Sequence, residues 1–459
     1  MMQHYESIKT QLDSVSPSFC IAKWSQLTLY LQTGYNHSCH HPTPHKIPLG
    51  EVLNNHKALH NTKFKKVQMS KMLKGERPSE CEYCWKIEDL GKGFLSDRVY
   101  KSAHDFSQNK FQEIVNAKTE DIEPSYLEIS FSNACQLKCA YCSPDISSTW
   151  MQEIEQYGGY PTTSNYNNLE WFKEQKKMPY KQSEDNPYVD AFWKWWPELS
   201  PKLHTLRLTG GEPLLSKDVW KVIDSVIENP NPKLTFCINT NLLVPDVLID
   251  KLIDKLNQLD GKVKELQIFS SGEASGKANE YMRFGTDDKK WRRNFEKVLS
   301  QTKNVLVANM TTVNLTSVGT YCDFLRYLLD LRSIYNKEVS FNKVQFMSNY
   351  LRYPEFLAIT ILDDGAKDKF KKDVEELIEE RSKDNWKYDN DGYLTNEQVD
   401  QLNRLVEHMY QNKFEDTEKL NTIRKDFYNF VNEYDKRRGT DFKETFPELK
   451  EFYKICQEV

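Results

Sequence analysis

Seven of the chain's ten cysteines fall into two groups whose spacing suits metal ligation. Cys135, Cys139 and Cys142 form one; Cys20, Cys39, Cys81 and Cys84 form the other. The first reads Cys135-Gln136-Leu137-Lys138-Cys139-Ala140-Tyr141-Cys142, a Cys-x3-Cys-x2-Cys loop. Three thiolates can hold three irons of a [4Fe–4S] cube and leave the fourth without a protein ligand. An open coordination position separates catalytic metal sites from closed structural ones. Spacing also leaves open a zinc site with a distant fourth ligand. The second group offers four thiolates, which can close a [4Fe–4S] or a zinc site equally well, and His37, His40, His41 and His45 keep zinc open. Cys237, Cys322 and Cys456 are scattered and read as small buried residues.

Such residues need a frame. From residue 126 to about 350, strand-like runs alternate with helical patterns. The runs are Tyr126–Phe131, His204–Leu208, Lys233–Ile238, Glu265–Phe269, Val305–Val313 and Val344–Phe346. In Pro245–Leu259 the apolar positions Leu248, Leu252, Ile253, Leu256 and Leu259 share one helical face, and Pro245 sits where a missing N–H costs nothing. Tyr321–Ile334 is a second helical pattern. This alternation predicts βα units and a parallel sheet. Six strands are too few for a closed eight-stranded barrel, so an open or partial barrel is expected. The polar stretch from Trp150 to Leu203 reads as an elaborated first crossover, with its Trp193, Trp195 and Trp196 read as packing. Beyond about residue 365 the chain is charged and helical over Lys369–Lys383, Asn396–Tyr410 and Thr417–Arg437. Asp389-Asn390-Asp391-Gly392 imitates a calcium loop, but Lys387 and Gln398 stand at two positions that need carboxylates, so a polar turn is predicted.

The first strand runs into the Cys-x3-Cys-x2-Cys loop, and the second ends in Thr209-Gly210-Gly211-Glu212-Pro213. Together these resemble the signatures of the radical S-adenosylmethionine (SAM) superfamily. The resemblance implies that the glycine carbonyls and Glu212 accept hydrogen bonds from the SAM ammonium. It implies that Gly210, Gly211, Glu212 and Pro213 line the cofactor and that Tyr141 lies beside its adenine. Weaker elements follow in family order: Asn239-Thr240-Asn241, Ser270-Ser271, Arg283, and Asn309 or Asn314. By resemblance, Asn239 and Asn309 are cofactor contacts, one of Ser270 and Ser271 meets the ribose, and Arg283 meets the SAM carboxylate. The run through Phe19-Cys20, Cys39, Leu49-Gly50, Met72–Glu76 and Cys81-Glu82-Tyr83-Cys84 resembles the SPASM/twitch auxiliary-cluster domains. Those domains usually follow the barrel, whereas this match precedes it. The implied cofactors are SAM and two [4Fe–4S] clusters, one on Cys135, Cys139 and Cys142 and one on Cys20, Cys39, Cys81 and Cys84. The implied chemistry is reductive cleavage of SAM to a 5′-deoxyadenosyl radical, hydrogen abstraction from a substrate C–H, and net oxidation or bond formation. A flavodoxin- or ferredoxin-type reductant is the implied partner, and a peptide or small polar metabolite the substrate.

The expected architecture is α/β. A twitch-like segment spans residues 1–105 and a linker 106–125. A partial (β/α)6 barrel of the radical SAM type spans 126–360, followed by a helical region over 361–459. With 459 residues, 39% hydrophobic and 12% aromatic, the chain can build sizeable cores. A net charge of -5 gives no broad nucleic-acid footprint. No apolar run approaches the roughly 20 residues that a membrane span needs. The start, MMQHYESIKTQLDSV, lacks a signal-peptide pattern, so a cytoplasmic location is expected. The competing class is a non-catalytic zinc or iron–sulfur binding module. It requires Gly210-Gly211-Glu212-Pro213 to be coincidental.

Overall fold

The computed structural model describes residues 2–91, 93–337, 339–383, 391–411 and 417–459. The N-terminal segment contributes β1 (Gln26–Tyr30), β2 (Tyr35–His37) and β3 (His45–Lys46). Next, β4 (Tyr126–Ser130) leads into the cysteine loop, and β5 (Lys138–Cys139) lies inside it. Then come β6 (Thr205–Thr209), β7 (Asn231–Thr240), β8 (Val263–Ser271), the short β9 (Arg283–Phe284), β10 (Val305–Val313) and β11 (Val344–Tyr350). The protein is a mixed α/β structure with a largely parallel nine-stranded sheet, ordered β11-β10-β8-β7-β6-β4-β1-β2-β3. All neighbours from β11 to β1 are parallel, and β1, β2 and β3 continue as antiparallel pairs.

All six predicted strands are present, each within a few residues of its expected bounds. The period-2 alternation of side chains divides their residues between two faces. Leu127, Ile129, Leu206, Leu208, Phe236, Ile238, Leu266 and Ile268 are buried on one face. They share a core with the apolar stripes of the helices Lys217–Glu228, Asp246–Leu259, Asp288–Gln301 and Tyr321–Tyr335. The other face carries Glu128, Arg207, Asn239 and Gln267, all only partly buried. One side of the sheet is therefore the main core, and the other carries these polar groups around a small apolar cluster of Cys237, Phe269 and Ala308.

The sheet extends beyond the six predicted strands. The strand β1 pairs in parallel with β4, with Leu27 opposite Leu127 and Leu29 opposite Ile129. This pairing joins the N-terminal segment to the main sheet. The segment also has a core of its own, in which Phe19, Ile21, Trp24, Met72, Trp85, Cys81 and Cys84 pack together.

The helical region after β11 covers the sheet's free edge. An uncovered edge strand exposes unpaired backbone groups. Here Gln398 donates to Phe346 O at 3.2 Å, Gln401 accepts from Ser348 N at 3.0 Å, and Arg332 donates to Val344 O at 3.0 Å. Both glutamines lie on the helix Asn396–Tyr410. The turn at Asp389–Gly392 falls partly on residues 384–390, outside the described residues. Among the described residues no helix is long and apolar enough to cross a membrane.

Leu29 is fully buried at the seam between β1 and β4. Leu29→Ala is expected to lower the unfolding free energy by about 3 kcal/mol, the usual cost of a large-to-small core change. An unchanged midpoint in a guanidinium titration contradicts this packing.

Candidate metal centres

The loop after β4 is fixed chiefly through its backbone. β5 pairs antiparallel with β9, placing Cys139 opposite Arg283, and Ala140 N donates to Met282 O at 2.7 Å. Cys142 N donates to Cys139 O at 2.9 Å. Carbonyls along the loop are taken by side chains. Ser147 and Thr149 hydroxyls donate to Leu137 O at 2.9 and 2.8 Å, and Trp150 Nε1 donates to Cys139 O at 2.7 Å. The Tyr166 hydroxyl reaches the carbonyls of Ala140 and Cys142. Cys135 and Cys139 are buried, Cys142 partly so, and all three are free thiols. Burial pushes each thiol up, Cys135 to about 12, while the Arg283 guanidinium facing all three pulls them back towards thiolate. A convergent trio of thiols beside a buried cation is a donor set that fits a metal cluster with one open position.

The Gly-Gly-Glu-Pro segment docks onto the start of this loop. A Cβ on Gly211 would sit 2.4 Å from Ala134 O and 2.7 Å from Asn133 O. Gly210 has φ +131, and a Cβ there would meet the Ser130 hydroxyl at 2.8 Å. Gly211 N donates to Ser132 O at 3.2 Å and Glu212 N to Ala134 O at 2.6 Å. The glycines thus make room for the backbone at the start of the cysteine loop. Glu212 is buried and accepts from Leu214 N at 3.1 Å, the Thr240 hydroxyl at 2.8 Å and Asn241 N at 2.7 Å. Asn241 in turn accepts from Gln136 Nε2 at 2.9 Å. Pro213 begins the buried 3-10 turn Pro213–Leu215. Three strand ends are tied together here.

The remaining predicted contacts separate by face. Asn239, on the polar face, accepts from Arg207 Nε at 2.9 Å, and Ser271 is partly buried. Ser270 faces the helical layer and accepts from Trp291 Nε1 at 3.0 Å. Asn309 donates to Gly272 O at 2.8 Å, and its Oδ1 is buried without a hydrogen bond. Gln136 Oε1 and the Ser130 hydroxyl are also buried and without partners. The Gln136 and Ser130 acceptors, on the cysteine loop and the strand leading into it, suit a polar ligand. Asn314 forms a local turn, accepting from Thr316 N at 3.1 Å. Arg283 and Tyr141 join Glu273, which sequence reasoning did not single out. The Tyr141 hydroxyl donates to Glu273 Oε1 at 2.6 Å, and Arg283 lies 3.2 Å from the same oxygen. Glu273 sits in the loop after β8, where no motif in the sequence marked it.

The second group of cysteines also converges. Cys20, Cys39, Cys81 and Cys84 line one cavity with Met72, Trp85, Arg98 and Lys101. Lys23 N donates to Cys20 O at 3.1 Å, and Arg98 N donates to the Ser96 hydroxyl at 3.2 Å. Burial pushes Cys39 up to about 11 and Cys84 to about 12, and the Lys23 ammonium opposes this at Cys39 and Cys81. Lys23 is itself buried and paired with Glu80. The histidines have other partners. His37 meets the Tyr30 hydroxyl at 3.2 Å, His41 meets Asp97 at 2.8 Å, and His45 meets Thr62 at 2.9 Å. Burial lowers the His40 imidazole, and the Glu128 carboxylate opposes this. Among the described residues no three Cys, His, Asp or Glu side chains are placed to hold a single metal ion.

No family model matches the chain, and no curated protein matches it. A solved structure is similar to part of it: the crystal structure of Streptococcus suis SuiB bound to S-adenosylmethionine, at 12% identity and a TM-score of 0.34. The similarity covers 69% of this chain and 63% of that one, so it spans less than two thirds of SuiB.

Burial outweighs three donated hydrogen bonds and raises the Glu212 carboxyl from 4.5 to about 7. A raised acid binds its proton more tightly in the native state, so stability falls as pH rises from about 4.5 to 7. The loss is about 3 kcal/mol. Glu212→Gln cannot ionise and is expected to gain that much on the parent between pH 4.5 and 7.5. A pH-independent difference in denaturant titrations contradicts the shift.

Proposed function

We propose that the chain is a radical SAM enzyme of the twitch/SPASM type, its sheet forming a partial (β/α)6 barrel and its N-terminal segment carrying an auxiliary cluster. The observation that carries the reading is the clamp between the Cys135–Cys142 loop and Gly210-Gly211-Glu212-Pro213 on the neighbouring strand. Two motifs about 70 residues apart meet at the C-terminal ends of adjacent parallel strands, where α/β proteins build ligand sites. Cys135, Cys139 and Cys142 would hold a [4Fe–4S] cluster there, and that cluster would supply the electron for reductive cleavage of SAM and hydrogen abstraction from a substrate C–H.

The chain's own residues hold and exclude. Cys135, Cys139 and Cys142 are the cluster ligands, and Arg283 offsets their negative charge. Gly210 and Gly211 let β6 close on the loop, and Glu212 locks β6 to β7. Tyr141 is tied to Glu273 by a hydrogen bond. Asn239 and Ser271 border the polar face, which offers a substrate donors and acceptors from Glu128 and Arg207. Cys20, Cys39, Cys81 and Cys84 use all their sulfurs on one core, which leaves electron transfer as its task. A neighbouring electron acceptor favours net oxidation or bond formation on a peptide or small polar metabolite. A flavodoxin- or ferredoxin-type protein is the proposed reductant.

Anaerobically reconstituted protein is expected to bind about eight irons per chain, for two four-iron cubes. Replacing Cys135, Cys139 and Cys142 by Ala removes about half of them and abolishes dithionite-dependent formation of 5′-deoxyadenosine. Stoichiometric zinc with about four irons defeats the auxiliary cluster alone. Well-loaded protein that yields no 5′-deoxyadenosine defeats the enzyme reading. The Cys81→Ala, Cys84→Ala variant, once its circular dichroism matches the parent, should still cleave SAM but not complete the product. Parental turnover by that variant removes any required redox role for the second cluster.

A further inference from the structure

The helix Thr417–Arg438 ends with a charged run, Asp435-Lys436-Arg437-Arg438, that reads as a solvated surface. Its last residue is not solvated. The Arg438 side chain is 0% exposed. It donates from one nitrogen to Lys138 O at 2.7 Å and through the other two to Glu153 at 3.2 and 3.1 Å. Its guanidinium lies over the Tyr434 ring at 3.8 Å and the Trp150 ring at 4.8 Å. Trp150 is the residue that binds Cys139 O, and Glu153 lies one turn further along the same helix.

We propose that Arg438 is a positioning residue for the Cys135–Cys142 loop, fixing the carbonyl before Cys139 and placing a buried positive charge beside that sulfur. Three observations support this. The planar guanidinium meets a carbonyl and a carboxylate at once, a fork that a lysine cannot reproduce. Glu153 is shared with Lys138, whose ammonium lies at 2.7 Å, so two cations face one carboxylate and a net positive charge remains. The helix is held in place independently: Asp426 accepts from Thr163 N at 2.8 Å, and Tyr281 donates to Asp435 at 2.9 Å. Arg438 therefore arrives on an anchored element. The C-terminal region thus completes the loop from 300 residues away in sequence.

The electrostatic half of the proposal rests on reading Cys135, Cys139 and Cys142 as cluster ligands; the positional half does not. The test compares Arg438→Gln and Arg438→Lys with Val431→Ala, which trims a buried residue of the same helix. In iron-free protein, Arg438→Gln is expected to raise amide exchange at Ala140 and Cys142 about tenfold, the equivalent of one lost charge-assisted hydrogen bond. Val431→Ala should leave those amides protected. In reconstituted protein the midpoint potential of the loop's cluster should fall in Arg438→Gln and stay parental in Arg438→Lys, because net charge tunes such centres. Unchanged exchange in Arg438→Gln, or equal loosening in Val431→Ala, overturns the positioning role. A parental potential in loaded Arg438→Gln overturns the role of the charge. A parent protein that takes up no iron instead overturns the proposed function, and the exchange comparison still decides the positioning role.

Discussion

The approach of Gly211 to the backbone of Asn133 and Ala134 leaves no room for a side chain, and the candidate site depends on it. The Cys135–Cys142 loop packs Leu137 and Ala140 into the main core, but apolar packing alone does not fix the path of its backbone. It is held instead by hydrogen bonds from β6, from β9, from the helix Ser148–Tyr157 and from Tyr166. The contact at Gly211 sets where the loop begins, and Arg283 and Arg438 fix Cys139 from the far end. Buried thiols resist ionisation, so the cations here serve both position and charge.

The same physical problem is solved a second time in the N-terminal segment. Four thiols lie on a small core with Trp85 and Met72, and Lys23 and Arg98 supply positive charge in place of Arg283 and Arg438. The strand β1, in the same segment as these cysteines, joins the main sheet beside β4, the strand that leads into the other cysteine loop.

Much of this was legible in the sequence, for definite reasons. Strand alternation with helices gave the parallel order, because Leu127, Leu206, Phe236 and Leu266 repeat a local pattern. The cysteine spacing and Gly210-Gly211 marked chemistry, because few residues other than Cys and Gly serve in those places. What escaped was long-range pairing. Nothing in Gln26–Tyr30 indicates that its neighbour is a strand about a hundred residues on, and nothing in a charged tail distinguishes buried Arg438 from exposed Lys436. Ser270 and Ser271 could not be told apart without the strand's register, which turns one to the helices and the other to the polar face. Glu273 was hidden in a loop whose sequence followed no pattern.

The central claim is that Cys135, Cys139 and Cys142 leave an iron open to SAM. Electron paramagnetic resonance of the reduced Cys81→Ala, Cys84→Ala protein tests it most directly, since only that cluster remains to be seen. The account predicts a four-iron signal whose g values shift when SAM is added, and a shift that weakens in Arg283→Gln. A reduced cluster whose spectrum is indifferent to saturating SAM contradicts it.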